Sequence, residues 1–159
     1  MEFSELYGHP GHLIRRAQQI AVSIFTEDCK AFGITPVQYA ILYAVQHHPG
    51  IEQISLANLV ALDRSNTGDV VARLEERGIM RRTAGDADRR TKRLHLTAAG
   101  EALLDGMLPA VRAAQERMLG PLDEDERRSF MTLLGKLVDI NNTLSRAPQR
   151  PKVARRNDG

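Results

Sequence analysis

The 159-residue sequence has no tryptophan, one cysteine and few aromatic residues of any kind, 4% of the chain. The single thiol, Cys29, excludes an internal disulfide. No apolar run approaches the ~20 residues that a membrane span requires, and the N-terminus carries no secretory-signal pattern. A soluble, cytoplasmic protein with no membrane partner is therefore expected. There is also no phosphate-cradling glycine loop, nucleophile motif or metal-ligand spacing. His47 and His48 are adjacent and diverge on a helix, and His9 and His12 have no nearby carboxylate or thiol set. These absences argue against an enzyme, a metal site and a cofactor.

What is present is hydrophobic residues at 42%, with alanine, leucine and arginine abundant, a balance that favours helices over sheets. The formal net charge of +2 conceals a segregation. Residues 1–63 carry three basic and six acidic residues, 64–93 nine and five, 94–145 five and eight, and 146–159 five and one. Positive charge gathered in one segment is the footprint expected of a surface that meets a polyanion.

The apolar spacing of Leu13, Ala17, Ile20 and Ile24 predicts a long helix from about Pro10 to Phe32, closed by Gly33. Thr35 and Pro36 open a second helix, which Pro49 and Gly50 close. Ser55 is expected to cap the short helix SLANLVALD. After a break at Asp63 and Arg64, SNTGDVVARLEERG forms another, with Ser65 near its cap, Val70, Val71 and Leu74 inward, and Gly78 beyond its end. Two short helices joined in this way make a helix-turn-helix. IMRRT and RLHLT then read as strands of a hairpin around AGDADRRTK. Thr97 caps a further helix that Pro109 should bend or break, and a last helix begins near Asp123. Its stripe runs through Phe130, Leu133, Leu134, Leu137, Ile140 and Leu144.

The fold class is thus mainly α, a winged helix-turn-helix with a small β-hairpin wing and long terminal helices. Residues 1–34 are expected to form an N-terminal dimerisation helix, 35–96 the winged helix-turn-helix lobe, 97–146 the C-terminal dimerisation helices, and 147–159 a disordered basic tail. A small winged helix does not need the terminal apolar stripes for its own core. They pack either on the same chain or on a second copy in a symmetric homodimer.

Over about residues 8–145 the chain resembles the MarR family of winged helix-turn-helix regulators. The segment LDRSNTGDVVARLEERGIMRRTAGDADRRTKRLHLTAAGEALL resembles that family's recognition helix, wing, DRR and LTxxG in order and spacing. The resemblance implies a homodimeric repressor that binds a pseudo-palindromic operator in double-stranded DNA and leaves it when a small ligand binds. GHPGHLIRRAQQIAVSIF is similar to the subgroup governing aromatic-acid breakdown, which implies a small aromatic carboxylate or aromatic acyl-CoA effector.

In a helix-turn-helix the second helix lies in the major groove, so Arg64, Ser65, Asn66, Thr67 and Asp69 are its DNA-facing candidates. The Asn66 amide suits adenine, Ser65 serves either as a cap or as a reader, and Asp69 supports neighbouring side chains. Arg73 either reaches a phosphate or pairs with Asp69. In wings of this family the arginine two positions after the aspartate enters the minor groove. Here that implies Arg90, oriented by Asp88, with Arg89, Lys92 and Arg93 on phosphates. The alternative is a solvated charged loop.

On the first helix, His12, Arg16, Gln19 and Ser23 share a face beside Arg15. A guanidinium next to an apolar cleft suits an oxyanion, or else these arginines pair with the acidic last helix. Cys29 offers a redox-sensing alternative, although Glu27 and Asp28 would raise its pKa. A non-DNA-binding interaction module is the remaining reading.

Overall fold

The structure, a computed structural model, describes residues 3–150. These residues form six α-helices, α1 (Pro10–Asp28), α2 (Pro36–His47), α3 (Gln53–Leu59), α4 (Arg64–Glu76), α5 (Ala98–Leu119) and α6 (Glu124–Ile140), and a sheet of β1 (Ile51–Glu52), β2 (Met80–Ala84) and β3 (Lys92–Leu96). Among the described residues no helix is long and apolar enough to cross a membrane.

Local signals set most helix ends. Thr35 Oγ1 accepts from the Gln38 N–H while the Gln38 side chain accepts from the Thr35 N–H, a reciprocal pair that satisfies two donors a helix start leaves open. Asp123 and Glu126 do the same for α6. Thr97 caps α5 through the Gly100 N–H.

Several expectations are corrected. α1 stops at Asp28, and the chain passes through a short 3-10 turn, Lys30–Phe32, before Gly33 turns it in the left-handed conformation. α3 starts at Gln53 with Glu52 at its cap position, so Ser55 lies inside the helix. α4 is capped by Asp63, whose carboxylate accepts from the Asn66 N–H; Ser65 is in the first turn. Pro109 neither breaks nor ends α5, which runs on to Leu119. Pro109 lies on the exposed side of α5, where water can serve the carbonyl that it leaves without a partner. Leu144 is in a 3-10 turn beyond α6 and does not continue its stripe. Of the expected tail, Gln149 and Arg150 hydrogen-bond to Leu59 and Asn58 of α3, and 151–159 lie outside the described residues.

The core is one cluster in which Ile41, Leu42 and Val45 of α2 meet Leu56, Val71, Leu74, Leu94, Leu104 and Met107. The sheet order is β1-β3-β2, antiparallel throughout, with Ile51 and Arg82 flanking Leu94. The strand β1 gives the hairpin a third partner. It joins the middle of β3, at Leu94 and Arg93, to the chain entering α3.

The terminal helices contrast with this core. α1 buries only Phe25 and α6 buries no residue. Leu13, Ile14 and Ile20 stay about half exposed, and Leu133, Val138 and Ile140 are 66%, 53% and 68% exposed. So much apolar surface on amphipathic helices is left uncovered by the rest of the described residues.

Candidate nucleic-acid interface

The capping aspartate sets the start of α4, and helix periodicity then divides its residues. Thr67, Val71 and Leu74 are buried, whereas Arg64, Ser65, Asn66, Asp69 and Arg73 are exposed. Thr67 is fully buried and its hydroxyl donates to the Asp63 carbonyl at 2.8 Å. It therefore cannot reach a base edge. The Asn66 amide donates to the Asp63 carboxylate, so Asp63 holds both the backbone and the side chain of the residue best suited to adenine. Among the described residues no ion pair joins Asp69 to Arg73, which leaves Arg73 available to a phosphate. A Cβ at Gly68 would lie 3.2 Å from Gln53 Nε2, the end of a side chain on α3.

At the wing, the loop from Gly85 to Thr91 closes through Gly85 N–H to Thr91 O (2.9 Å) and Thr91 N–H to Asp88 O (3.0 Å). Gly85 is required there, because a Cβ would stand 2.9 Å from the Asp88 carbonyl oxygen. The Asp88 carboxylate accepts the Arg90 backbone N–H at 2.9 Å. It thus shapes the turn and does not hold the Arg90 guanidinium, which corrects the expected role. Arg89, Arg90 and Lys92 are exposed, and none has an ion-pair partner among the described residues. Arg93 is half-buried, loosely paired with Asp86 at 3.8 Å.

Two arginines fix the wing and recognition helix to their surroundings. Arg82 of β2 meets Glu75 of α4 at 2.7 Å. Arg77, at the end of α4, donates to the carbonyls of Gly33 (2.7 Å) and Phe32 (3.2 Å) in the α1–α2 link. A charge count of the segment does not separate these structural arginines from the free ones; their contacts do.

On α1, Arg15 donates to Gln19 at 3.0 Å and lies 3.5 Å from His12 Nδ1. Arg15, not Arg16, therefore joins His12 and Gln19. Gln19 and Ser23 border a shallow depression of about 420 Å³. No ion pair ties Arg15 or Arg16 to α6 among the described residues. Instead Arg117 of α5 clasps α1 through Glu27 (2.9 Å) and Asp28 (2.8 Å), and these carboxylates push its pKa up.

A second concavity, of about 660 Å³, lies elsewhere, walled by Tyr39, Tyr43, His47, His48, Val60 and Gln149. The α2 rings form a ladder, Tyr39–Tyr43 at 5.8 Å and Tyr43–His47 at 4.2 Å between centroids. Burial, then the neighbouring Tyr43 and Cys29, raise the Tyr39 phenol, while Arg112 pulls it down. His47 and His48 share this cavity although they are adjacent, because α2 ends between them. The sequence reading missed this site, whose one signal was the spacing of Tyr39, Tyr43 and His47 at four residues. Cys29 is 1% exposed, and burial first, Asp28 second, push its thiol up, which disfavours a reactive thiolate.

Comparison with known proteins agrees with this geometry. The MarR family model matches residues 34–92. The transcriptional repressor NicR of Pseudomonas putida is 33% identical over 129 residues, 81% of this chain and 82% of that one. A structure of Bordetella bronchiseptica BpsR, whose DNA binding is regulated by 6-hydroxynicotinic acid, is 30% identical with a TM-score of 0.80 over 87% of this chain and 97% of that chain. The repressor CouR bound to a 23-mer DNA duplex is 27% identical with a TM-score of 0.81, covering 87% and 98%. A helix-turn-helix with an arginine-tipped wing, flanked by long amphipathic helices and matched by these relatives, places the chain in the MarR family, to which it belongs.

Proposed function

We propose that the protein is a homodimeric transcriptional repressor which binds a pseudo-palindromic operator and is released by a small aromatic acid. As a member of a family of transcriptional regulators it is not an enzyme. One observation carries the DNA-binding half. The exposed face of α4, with Arg64, Ser65, Asn66, Asp69 and Arg73, and the unpaired wing-tip cations Arg89, Arg90 and Lys92 belong to one lobe braced by Arg82 and Arg77. Ser65 and Asn66 would meet base edges, Arg90 the minor groove, and the other cations phosphates. An interaction module would have no use for these charges, and the buried Cys29 gives a redox sensor little to work with.

The effector half is supported by the aromatic ladder in the α2 cavity and by the ligand of the BpsR relative. A concavity of about 660 Å³ is large enough for a ligand of one or two rings. The ring would stack on Tyr43 and His47. The row His12, Arg15, Arg16, Gln19 and Ser23 on α1 is the proposed carboxylate-holding set, with Arg15 preoriented by Gln19. Pairing of two copies would have to bring ring site and carboxylate site together. Release would follow from differential affinity: the ligand favours a spacing of recognition helices that no longer matches half-sites one DNA turn apart.

Arg90→Ala tests the DNA half. Operator affinity at physiological salt should fall about 10- to 100-fold, because the dimer loses the contact twice, and the salt dependence should become shallower. Unchanged affinity by fluorescence anisotropy would remove Arg90 from the interface.

A further inference from the structure

A helix end leaves its last four carbonyls without intrahelical partners. In α3 these belong to Leu56, Ala57, Asn58 and Leu59. The first two accept the N–H groups of Val60 and Leu62, both at 3.0 Å, from the turn that follows. The other two are filled from the far end of the chain: Asn58 O accepts the Arg150 N–H at 2.8 Å, and Leu59 O accepts Gln149 Nε2 at 2.9 Å. The segment that delivers them is itself built. Asn142, in the turn after α6, donates its amide to Gln149 O and accepts the Gln149 N–H, both at 2.8 Å. Ser145 Oγ accepts the Ala147 N–H at 3.2 Å. Pro148 limits the backbone freedom of the stretch between them.

Gln149 also stands in the wall of the aromatic cavity, which it shares with the α2 ladder. The turn it borders, through Val60 and Ala61, leads directly to Asp63, the cap of the recognition helix.

We infer that residues 142–150 form a regulatory strap. It ties the end of α6 to the helix-turn-helix, closes one side of the aromatic cavity and holds the turn that aims α4. A ligand in the cavity touches the strap and the turn together, so its presence is transmitted to the recognition helix through Gln149. The regulatory part of this inference rests on the cavity being the effector site, as proposed above.

The test uses the full chain with Gln149→Ala, with Asn142→Ala, which loosens the strap without touching the cavity, and with Arg150→Pro, which deletes the N–H reaching Asn58. Amide exchange at Val60 and Leu62, read by mass spectrometry on free protein, should quicken about fivefold to tenfold in each variant, with the buried α5 amides unchanged. Equal protection in wild type and variants overturns the strap as the cap of α3. In parallel, DNA release is titrated with 6-hydroxynicotinate and benzoate. If wild type is released, the variants should need about tenfold more acid, and identical midpoints overturn the coupling through Gln149. If neither acid releases wild type, the effector reading fails by itself, and the exchange result alone decides the strap.

Discussion

Leu137→Glu is expected to yield a monomer that has lost operator binding. Leu137 is 46% exposed on α6, between Leu133 and Ile140, on a helix that buries nothing within its own chain. If a second copy covers this stripe, each leucine that it buries contributes about 1.5–3 kcal/mol, and symmetry counts the residue twice. Replacing it with a carboxylate removes that contribution and places an unpaired charge in the interface. The dimer dissociation constant should therefore rise by roughly a thousandfold or more. Each monomer retains its lobe, so helicity and thermal stability of the α2–α4 core should change little. Sedimentation equilibrium reads the first effect and anisotropy the loss of DNA binding. A variant that stays dimeric would place the interface elsewhere.

Gly100→Ala should destabilise the fold by roughly 3 kcal/mol, even though alanine in a helix is favoured over glycine by about 1 kcal/mol. Gly100 is buried in the first turn of α5, and a Cβ there would stand 2.1 Å from the Ile79 carbonyl oxygen. That oxygen already accepts the Thr97 N–H at 3.0 Å, and Thr97 Oγ1 donates to Gly78 O. The helix start is thus pinned to the strand at the base of the wing, and the clash is with backbone that cannot rotate away. A fall in Tm of about 6–12 °C is expected for a chain of this size. An unchanged Tm would mean that α5 can slide off β2 at little cost.

Where structure is local, the sequence was a sufficient guide. Thr35, Thr97 and Asp123 each cap the helix they precede, and the strand alternation of RLHLT places the wing. The terminal stripes were equally visible, since periodicity alone shows that α1 and α6 have more apolar face than one lobe can cover. The misreadings arise where several residues compete for one role or where distant segments meet. Asp63 and Ser65 are both good caps two residues apart, and only the backbone decides for Asp63. Thr67 looks polar, but it occupies the inward stripe shared with Val71 and Leu74. The two-residue strand β1 has no pattern of its own and exists through its partner β3. The aromatic cavity draws on residues 39–48, 59–61 and 149, and no spacing in the sequence joins them.

The central claim, an aromatic-acid-responsive DNA-binding regulator, is tested most directly by fluorescence anisotropy of the wild-type protein on DNA from upstream of its own and neighbouring genes, titrated with aromatic acids and their CoA thioesters. The predicted result is tight, salt-sensitive binding to one fragment, abolished by a free aromatic acid. Binding no tighter than to unrelated DNA on every fragment would contradict it, and would leave the wing cations without the role given to them here.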